Sequence, residues 1–245
     1  MLPIRDENPT LRTPVATYAI IATNVAVWLF LQGMGSEPAL TRSVCTLGLI
    51  PAEFLGRLLG LGVGAVNTDP VCPLGAVDHP LAPLTSMFTH GSWLHLLGNM
   101  WFLHIFGNNV EDVLGRFRFV FFYIVVGLAA AAAQVAAGPG SMIPMVGASG
   151  AIGGVMGSYI LLYPRTGVRT FVFLGFWAQM VTLPAYVMLG YWFLLQLLSG
   201  SFSSAQGGGV AFWAHVGGFL AGLVLTPFFR NPRLLAAHRA AVGLA

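Results

Sequence analysis

The sequence predicts an all-α membrane protein that crosses the lipid bilayer with six helices. Of its 245 residues, 56% are hydrophobic and only 8% are charged, whereas about 25% of the residues of a soluble globular domain are charged. Its mean hydropathy is positive, at +0.79. A membrane-spanning helix needs roughly 20 mostly apolar residues, so a chain of this length can contain about six spans with short connections. The composition therefore excludes an ordinary water-soluble enzyme and predicts one polytopic membrane domain.

The first span follows a short polar segment. Residues 1–14 are polar and contain Arg5 and Arg12, and we expect them to be cytoplasmic. The apolar run 15–31 comes next. A cleaved signal peptide would need a shorter apolar core and a small-residue cleavage site, and Gln32-Gly33-Met34 is a poor one. The run is therefore predicted to be a retained transmembrane helix.

The longest connection, residues 33–83, is expected to form the first outer loop. It contains several prolines and glycines and most of the acidic residues outside the termini. Within it, residues 51–61 predict an amphipathic helix on the membrane surface. Leucines cluster on one face of that helix, and Glu53 precedes Arg57 by four residues, the spacing of a helical ion pair.

Five further apolar segments predict the remaining spans. The segments lie at about 93–110, 117–137, 149–163, 171–198 and 210–229. The segment 171–198 should span the membrane only in its later part, because Pro184 interrupts it. A membrane domain over residues 15–230 would then be followed by a cytoplasmic tail, residues 231–245.

The arginines predict the orientation, because cytoplasmic loops retain Arg and Lys. With the N-terminus inside, nine of the 11 arginines lie on inner segments and only Arg42 and Arg57 lie outside. Both termini are therefore predicted to be cytoplasmic. The chain uses Arg to the exclusion of Lys and is rich in Ala and Gly, as in G+C-rich bacterial genomes, which favours a bacterial inner membrane. The arginines form no run that could bind nucleic acid.

The chain has two cysteines, Cys45 and Cys72, both in the long loop. Two are too few for a disulfide scaffold, and their spacing does not match a metal site. If the loop faces an oxidising compartment, the two could form a disulfide. Two free thiols are equally consistent with the sequence.

Four polar residues occur inside the predicted spans: His95, Asn99, Ser149 and His215. A polar group within the bilayer costs free energy and suggests function. The alternative is that they join helices through hydrogen bonds, worth about 0.6 kcal/mol each on average. Their positions favour function, because the predicted topology places His95, Ser149 and His215 in the outer half of the membrane at similar depth. His95 and Asn99, four residues apart, also share one helix face.

The span that begins at Ser149 is short. Only 15 residues precede Pro164, which gives about 22 Å of helix against a hydrocarbon core of about 30 Å. Its N-terminus must therefore begin below the outer surface, where non-helical backbone is tolerated only if it lines a cavity. Ser149 is thus predicted to lie at the positive end of a helix dipole in a water-filled pocket.

Two stripes of small residues predict that two of these helices pack closely. Each stripe begins with a polar residue, and generic packing motifs of this kind are common. The first contains Ser149, Gly153 and Gly157, and the second contains His215, Gly218 and Gly222. If the stripes face each other, Ser149 meets His215.

Serine and histidine in contact can perform acyl transfer, because an adjacent imidazole removes the hydroxyl proton. The spans contain no carboxylate except Glu111 and Asp112 at one inner end. We therefore predict a Ser149–His215 dyad without an acidic third member. The Asn99 amide, the His95 ring N–H and the Ser149 backbone N–H are candidate donors to an oxyanion.

The sequence lacks the residues that other classes of intramembrane protease require. There is no H-E-x-x-H sequence, and no pair of intramembrane aspartates. His90 and His95 are five residues apart without a carboxylate partner, which is a poor metal site. No metal or cofactor is expected.

Four segments between Thr85 and Thr226 occur in a characteristic order. They are residues 90–99, which contain His95 and Asn99; residues 106–119; Gly147-Ala148-Ser149-Gly150; and Ala214-His215-Val216-Gly217-Gly218 with Gly222 following. In this order they resemble the rhomboid family of intramembrane serine proteases.

The resemblance implies a six-helix core in which Ser149 is the nucleophile and His215 the general base. It implies that His95 and Asn99 lie near the oxyanion, with Gly147 and Gly150 as structural glycines beside the site. It also implies cofactor-independent cleavage of single-span or multi-span membrane proteins near a small residue. Better-studied bacterial members carry an aromatic residue one turn after the serine, stacked on the histidine. Here that position is Gly153, so support for His215 must come from elsewhere.

Two other functions compete with proteolysis. A catalytically inactive relative would bind membrane proteins and guide their folding, but such relatives usually lose the serine or the histidine. A small transporter could use His95, Asn99 and His215 as a proton relay. It would be expected to show an intramembrane carboxylate or an inverted repeat of broken spans, and the sequence has neither.

Overall fold

The fold is mostly helical, with one small sheet. It is seen in a computed structural model that describes residues 1–60, 72, 79–175, 177–202 and 210–242. In chain order the elements are β1 (Leu2–Asp6), α1 (Val15–Ala26, continued by a π-helical turn, Val27–Leu31), α2 (Ala39–Leu47), α3 (Pro51–Leu58), α4 (Ala82–Thr85), α5 (Trp93–Leu114), α6 (Arg116–Ala137), α7 (Ser149–Leu162), β2 (Gly167–Leu174), β3 (Trp177–Pro184), α8 (Ala185–Phe202), α9 (Phe212–Phe229) and α10 (Pro232–Ala241).

Each predicted span contains a helix. Among the described residues, α6, α8 and α9 are long and apolar enough to cross a membrane, while α1 with its π turn and α7 are shorter apolar helices. The short α7 agrees with the length predicted from Pro164. The break predicted near Pro184 is also present, because α8 begins at the next residue. Six spans remain a prediction.

The expectation of an all-α fold is wrong for two segments. β1, β2 and β3 form an antiparallel sheet in that order. Residues 1–14 were expected only to be polar, and residues 171–184 to be the non-spanning first part of the apolar segment 171–198. In β2, buried Val168, Thr170 and Val172 alternate with more exposed residues such as Phe171 and Phe173. That period of two, in β-branched and aromatic residues, is typical of a strand. The continuous apolar run that begins at Phe171 concealed it.

Helix α7 lies at the centre of the molecule. It packs against α5, α6, α8 and α9, and every residue from Gly150 to Tyr159 is buried. Five of these residues are apolar with side chains, and the others are Gly or Ser. Because the helix is enclosed along its length, Ser149 at its first residue has a fixed position.

Two carboxylates near the C-terminal end of α5 hold the N-terminal segment. Glu111 accepts hydrogen bonds from the backbone N–H groups of Ala16 and Thr17, at 3.0 and 2.7 Å. These N–H groups belong to the first turn of α1, where no helical carbonyl is available to them. Asp112 accepts from the Leu11 N–H at 2.7 Å and forms an ion pair with Arg12. These buried acids therefore have a structural role.

The long loop is tied by a disulfide between Cys45 and Cys72. Cys45 lies on α2 and, like Cys72, is buried. The amphipathic helix predicted over 51–61 is present as α3, which ends at Leu58; residue 61 lies outside the described residues. Leu58 and Leu59 are exposed at its end, as expected for a helix that lies on a membrane surface.

Strand β1 is joined to the helices by side-chain hydrogen bonds. Trp101 on α5 donates to the Pro3 carbonyl at 2.7 Å, and the Tyr159 hydroxyl on α7 donates to the Asp6 carboxylate at 2.6 Å. Burial raises the pKa of Asp6 to about 6, although the hydrogen bonds it accepts partly oppose this. The folded protein therefore binds a proton at Asp6 more tightly than the unfolded chain does.

Replacing Asp6 should remove part of the pH dependence of stability. The contribution of Asp6 is fully present below its ordinary pKa of 3.8 and is lost as pH rises through about 6. In Asp6→Asn, an amide oxygen can still accept from Tyr159 but cannot ionise. Between about pH 4 and pH 7 the thermal midpoint of the wild type in detergent should therefore fall relative to that of Asp6→Asn. Parallel pH profiles would contradict this assignment.

Candidate active site

The structure brings Ser149 and His215 together. Ser149 is the first residue of α7, and His215 lies in the first turn of α9. The Ser149 Oγ and His215 Nε2 atoms are 2.7 Å apart, which is a normal length for a hydrogen bond between a hydroxyl and a nitrogen. Both side chains are half-buried. The two residues are 66 positions apart in the sequence, so helix packing alone creates this contact.

Glycines allow α7 and α9 to approach closely enough for that contact. A Cβ at Gly218 would overlap the Gly150 carbonyl oxygen, and a Cβ at Gly222 would overlap the Gly154 carbonyl oxygen. From the other helix, a Cβ at Gly157 would overlap the Phe219 carbonyl oxygen. The two predicted stripes therefore face each other, as the sequence suggested.

Gly153 lies on the same face of α7. A Cβ at Gly153 would lie 3.0 Å from the carbonyl oxygen of His215, which is tight for a carbon–oxygen contact. Any larger residue at this position would therefore require the α9 backbone to move by a few tenths of an ångström.

His95 and Asn99 lie next to the segment that leads into Ser149. Gly147 has a φ of +120°, a conformation that favours glycine. A Cβ there would lie 2.6 Å from His95 Nε2 and 3.5 Å from Asn99 Nδ2. Asn99 Nδ2 is buried and has no hydrogen-bond partner within the described part of the chain. An unpaired donor beside the serine is available to a reacting carbonyl.

A cavity of about 310 Å³ is lined by all four polar residues that the sequence predicted to be functional. Its wall is otherwise mainly apolar, which is usual for a site that binds an apolar segment. It is lined by Leu94, His95, Gly98, Asn99, Phe102, Val146, Ser149, Ile152, Met156, Trp192, Gln196, Val210, Ala211 and His215.

Sequence reasoning missed two residues of α8 that contact His215. Gln196 Oε1 lies 2.7 Å from His215 Nδ1, and the ring centroids of Trp192 and His215 are 5.7 Å apart. The signal was present, because Gln196 is a polar residue inside an apolar run, the same criterion that identified Asn99.

His90 supports His95. The two rings meet edge to face with centroids 5.1 Å apart. The backbone of His90 is held by Gln32, which donates to its carbonyl at 2.7 Å and accepts from its N–H at 2.8 Å. The described residues contain no group of three or more His, Cys, Asp or Glu side chains that could hold a metal ion.

Comparison with known proteins identifies relatives of this chain. Residues 80–232 match the Rhomboid domain. Rhomboid protease GluP from Bacillus subtilis is 28% identical over 172 residues, covering 67% of this chain and 30% of that protein. Rhomboid protein 1, mitochondrial, from Saccharomyces cerevisiae is 29% identical over 177 residues, covering 66% of this chain and 48% of that protein.

A plant protein is similar over a shorter region. Rhomboid-like protein 11, chloroplastic, from Arabidopsis thaliana is 35% identical over 79 residues, covering 32% of this chain and 28% of that protein. The matched regions span less than half the length of each of these three relatives.

The glycine contacts predict that Gly222→Ala destabilises the protein. The added Cβ would meet the backbone of Gly154, which cannot move aside as a side chain can, so we expect a cost of about 1–3 kcal/mol. The matched control is Gly190→Ala on α8, where an added Cβ would meet nothing within 4 Å. There the thermal midpoint should stay the same or rise, since alanine favours a helix. Equal midpoints for both variants in detergent would contradict the packing described.

Proposed function

The chain belongs to the rhomboid family, and on that premise we propose that it is a serine endopeptidase that cleaves transmembrane segments of membrane proteins. The observation that carries this proposal is the 2.7 Å contact between Ser149 Oγ and His215 Nε2 inside an open cavity. A relative that only binds membrane proteins would not need a nucleophile and a base in contact. This chain has both.

Ser149 and His215 would act as nucleophile and general base. His215 Nε2 accepts the Ser149 proton as Oγ attacks the carbonyl carbon of the scissile peptide bond. The resulting imidazolium then gives this proton to the departing amine, which leaves an acyl-enzyme. A water molecule from the cavity, deprotonated by His215, attacks the acyl carbon and releases the carboxylate product. The serine regains its proton, so the enzyme returns to its starting state.

The negative charge on the tetrahedral intermediate needs nearby donors. We assign this role to Asn99 Nδ2, to the His95 ring N–H and to the Ser149 backbone N–H. The first is buried and unpaired among the described residues, and the last opens a helix whose dipole also favours negative charge. Losing one such donor commonly costs about 2.7–4 kcal/mol of transition-state stabilisation. No metal or cofactor takes part in this scheme.

The rhomboid family consists of integral membrane proteins, and we further propose the topology derived from the arginines. In it, residues 15–230 form a six-span domain, and residues 1–14 and 231–245 are cytoplasmic. Ser149 and His215 then lie in the outer half of a bacterial inner membrane. A substrate helix must unwind to expose a peptide bond there. The resemblance to the family implies a small residue near the cleavage position, and a glycine makes the unwinding easier because it is a poor helix former. The substrates would be single-span or multi-span membrane proteins.

Purified protein should cleave a single-span substrate that has Ala or Gly near the outer end of its transmembrane helix. Ser149→Ala and His215→Ala should each lower kcat by at least about 10³-fold, because the nucleophile and base act as a unit. Ser158→Ala is the matched control, since Ser158 is a buried serine on the same helix α7 that does not line the cavity; it should cleave at the wild-type rate. If Ser149→Ala also cleaved like the wild type, the proposed mechanism would be wrong.

A further inference from the structure

The His215 ring lies between two polar side chains. Its Nε2 atom is 2.7 Å from Ser149 Oγ, and its Nδ1 atom is 2.7 Å from Gln196 Oε1. Ser149 and Gln196 come from different helices, α7 and α8, which both pack against α9. The imidazole therefore has a hydrogen-bond partner at each nitrogen.

The chemistry of these partners determines where the histidine proton lies. A carboxamide oxygen can only accept a hydrogen bond. Nδ1 must therefore carry the proton and donate it to Gln196. In neutral imidazole the other nitrogen is then unprotonated. The lone pair of Nε2 consequently faces the Ser149 hydroxyl, which is the arrangement that a general base requires.

We propose that Gln196 is a positioning residue that holds His215 in the tautomer able to deprotonate Ser149, so that the dyad functions as a Ser149–His215–Gln196 triad. This inference rests on the proposed protease function. In serine proteases of other folds an aspartate fixes the tautomer, and an amide in its place reverses it when its NH₂ group faces the ring. Here the oxygen of the amide faces the ring.

A neutral acceptor is suited to this position. A carboxylate within a membrane span costs more free energy than an amide, because it must be desolvated as an ion. Gln196 lies on α8, one of the helices long and apolar enough to cross a membrane. Among the described residues, α8 contains no Asp, Glu, Lys or Arg. The amide supplies the acceptor without adding a charge to this helix.

Trp192 on the same face of α8 strengthens this arrangement. It precedes Gln196 by four residues, so both side chains point the same way, and its ring centroid is 5.7 Å from that of His215. The next residue along, Phe193, stacks on Phe219 of α9 with centroids 4.7 Å apart. One helix face therefore supplies an aromatic contact and a hydrogen-bond acceptor to His215, which Gly153 cannot provide.

Gln196→Met tests the proposal, because methionine has a similar length but no comparable acceptor. The wild type, Gln196→Met, Gln196→Glu and Gln134→Met are compared in the cleavage assay. Gln134 is the matched control: its Oε1 accepts from the Ala214 N–H at 3.1 Å, next to His215 in α9 but away from the ring. A loss of rate caused only by loosening the start of α9 would appear in both methionine variants.

We expect kcat to fall about 10- to 100-fold in Gln196→Met, as for the loss of one buried hydrogen bond in the transition state, with KM nearly unchanged. Gln134→Met should have a smaller effect. Gln196→Glu, which keeps an oxygen acceptor, should recover most of the rate. Wild-type kcat in Gln196→Met, or equal losses in both methionine variants, would overturn the proposal.

A spectroscopic measurement separates positioning from a structural effect. In protein labelled with ¹⁵N-histidine, nitrogen shifts report which ring nitrogen carries the proton, and the His215 signals are identified by their absence in His215→Ala. The wild type and Gln134→Met should show a protonated Nδ1, whereas Gln196→Met should show a mixture of tautomers. An unchanged tautomer in Gln196→Met would overturn the proposal.

Ser149→Ala, measured in the same assay, distinguishes two kinds of failure. If it cleaves like the wild type, the protease mechanism fails, while the tautomer still tests the contact with Gln196. If Ser149→Ala is inactive and Gln196→Met cleaves at the wild-type rate, the proposed role of Gln196 is wrong and the Ser149–His215 mechanism stands.

Discussion

The close approach of α7 and α9 determines the rest of the site. Along this contact the glycines of one helix lie against backbone carbonyl groups of the other, a distance that any side chain would prevent. In lipid, where apolar surface gains little from leaving the solvent, such close packing is a main source of helix association. It also places the first residue of α7 beside the first turn of α9. The geometry of Ser149 and His215 therefore follows from backbone packing.

The surrounding polar groups satisfy a second constraint, which is that an unpaired polar group is costly in a membrane. His215 contacts both Ser149 and Gln196, Gln32 pairs with the backbone of His90, and Glu111 pairs with the start of α1. The buried Asn99 Nδ2 group is one of several buried polar atoms that have no partner among the described residues, and for this one the proposed function supplies a reason. A donor kept free in the resting protein can bind an oxyanion without first breaking another bond.

Much of this arrangement could be predicted from the sequence, because the relevant signals are local. Apolar runs gave the helix positions, Pro164 gave the short α7, and the spacing of Gly153 and Gly157 gave its packing face. The sheet was missed because β2 is apolar on both faces from Phe171 onward, so that its period of two did not stand out from the apolar segment that follows. The contact between Gln196 and His215 was missed for a different reason. It depends on the rotation of α8 about its axis, which only tertiary packing determines.

Covalent labelling shows whether His215 activates the hydroxyl of Ser149. A fluorophosphonate reacts with an activated serine, displacing fluoride and adding a phosphonyl group that mass spectrometry can assign to one peptide. We expect a single adduct on the peptide that contains Ser149 in the wild type, and very slow labelling in His215→Ala. Labelling of another serine instead, or an equal rate at Ser149 in both proteins, would contradict it.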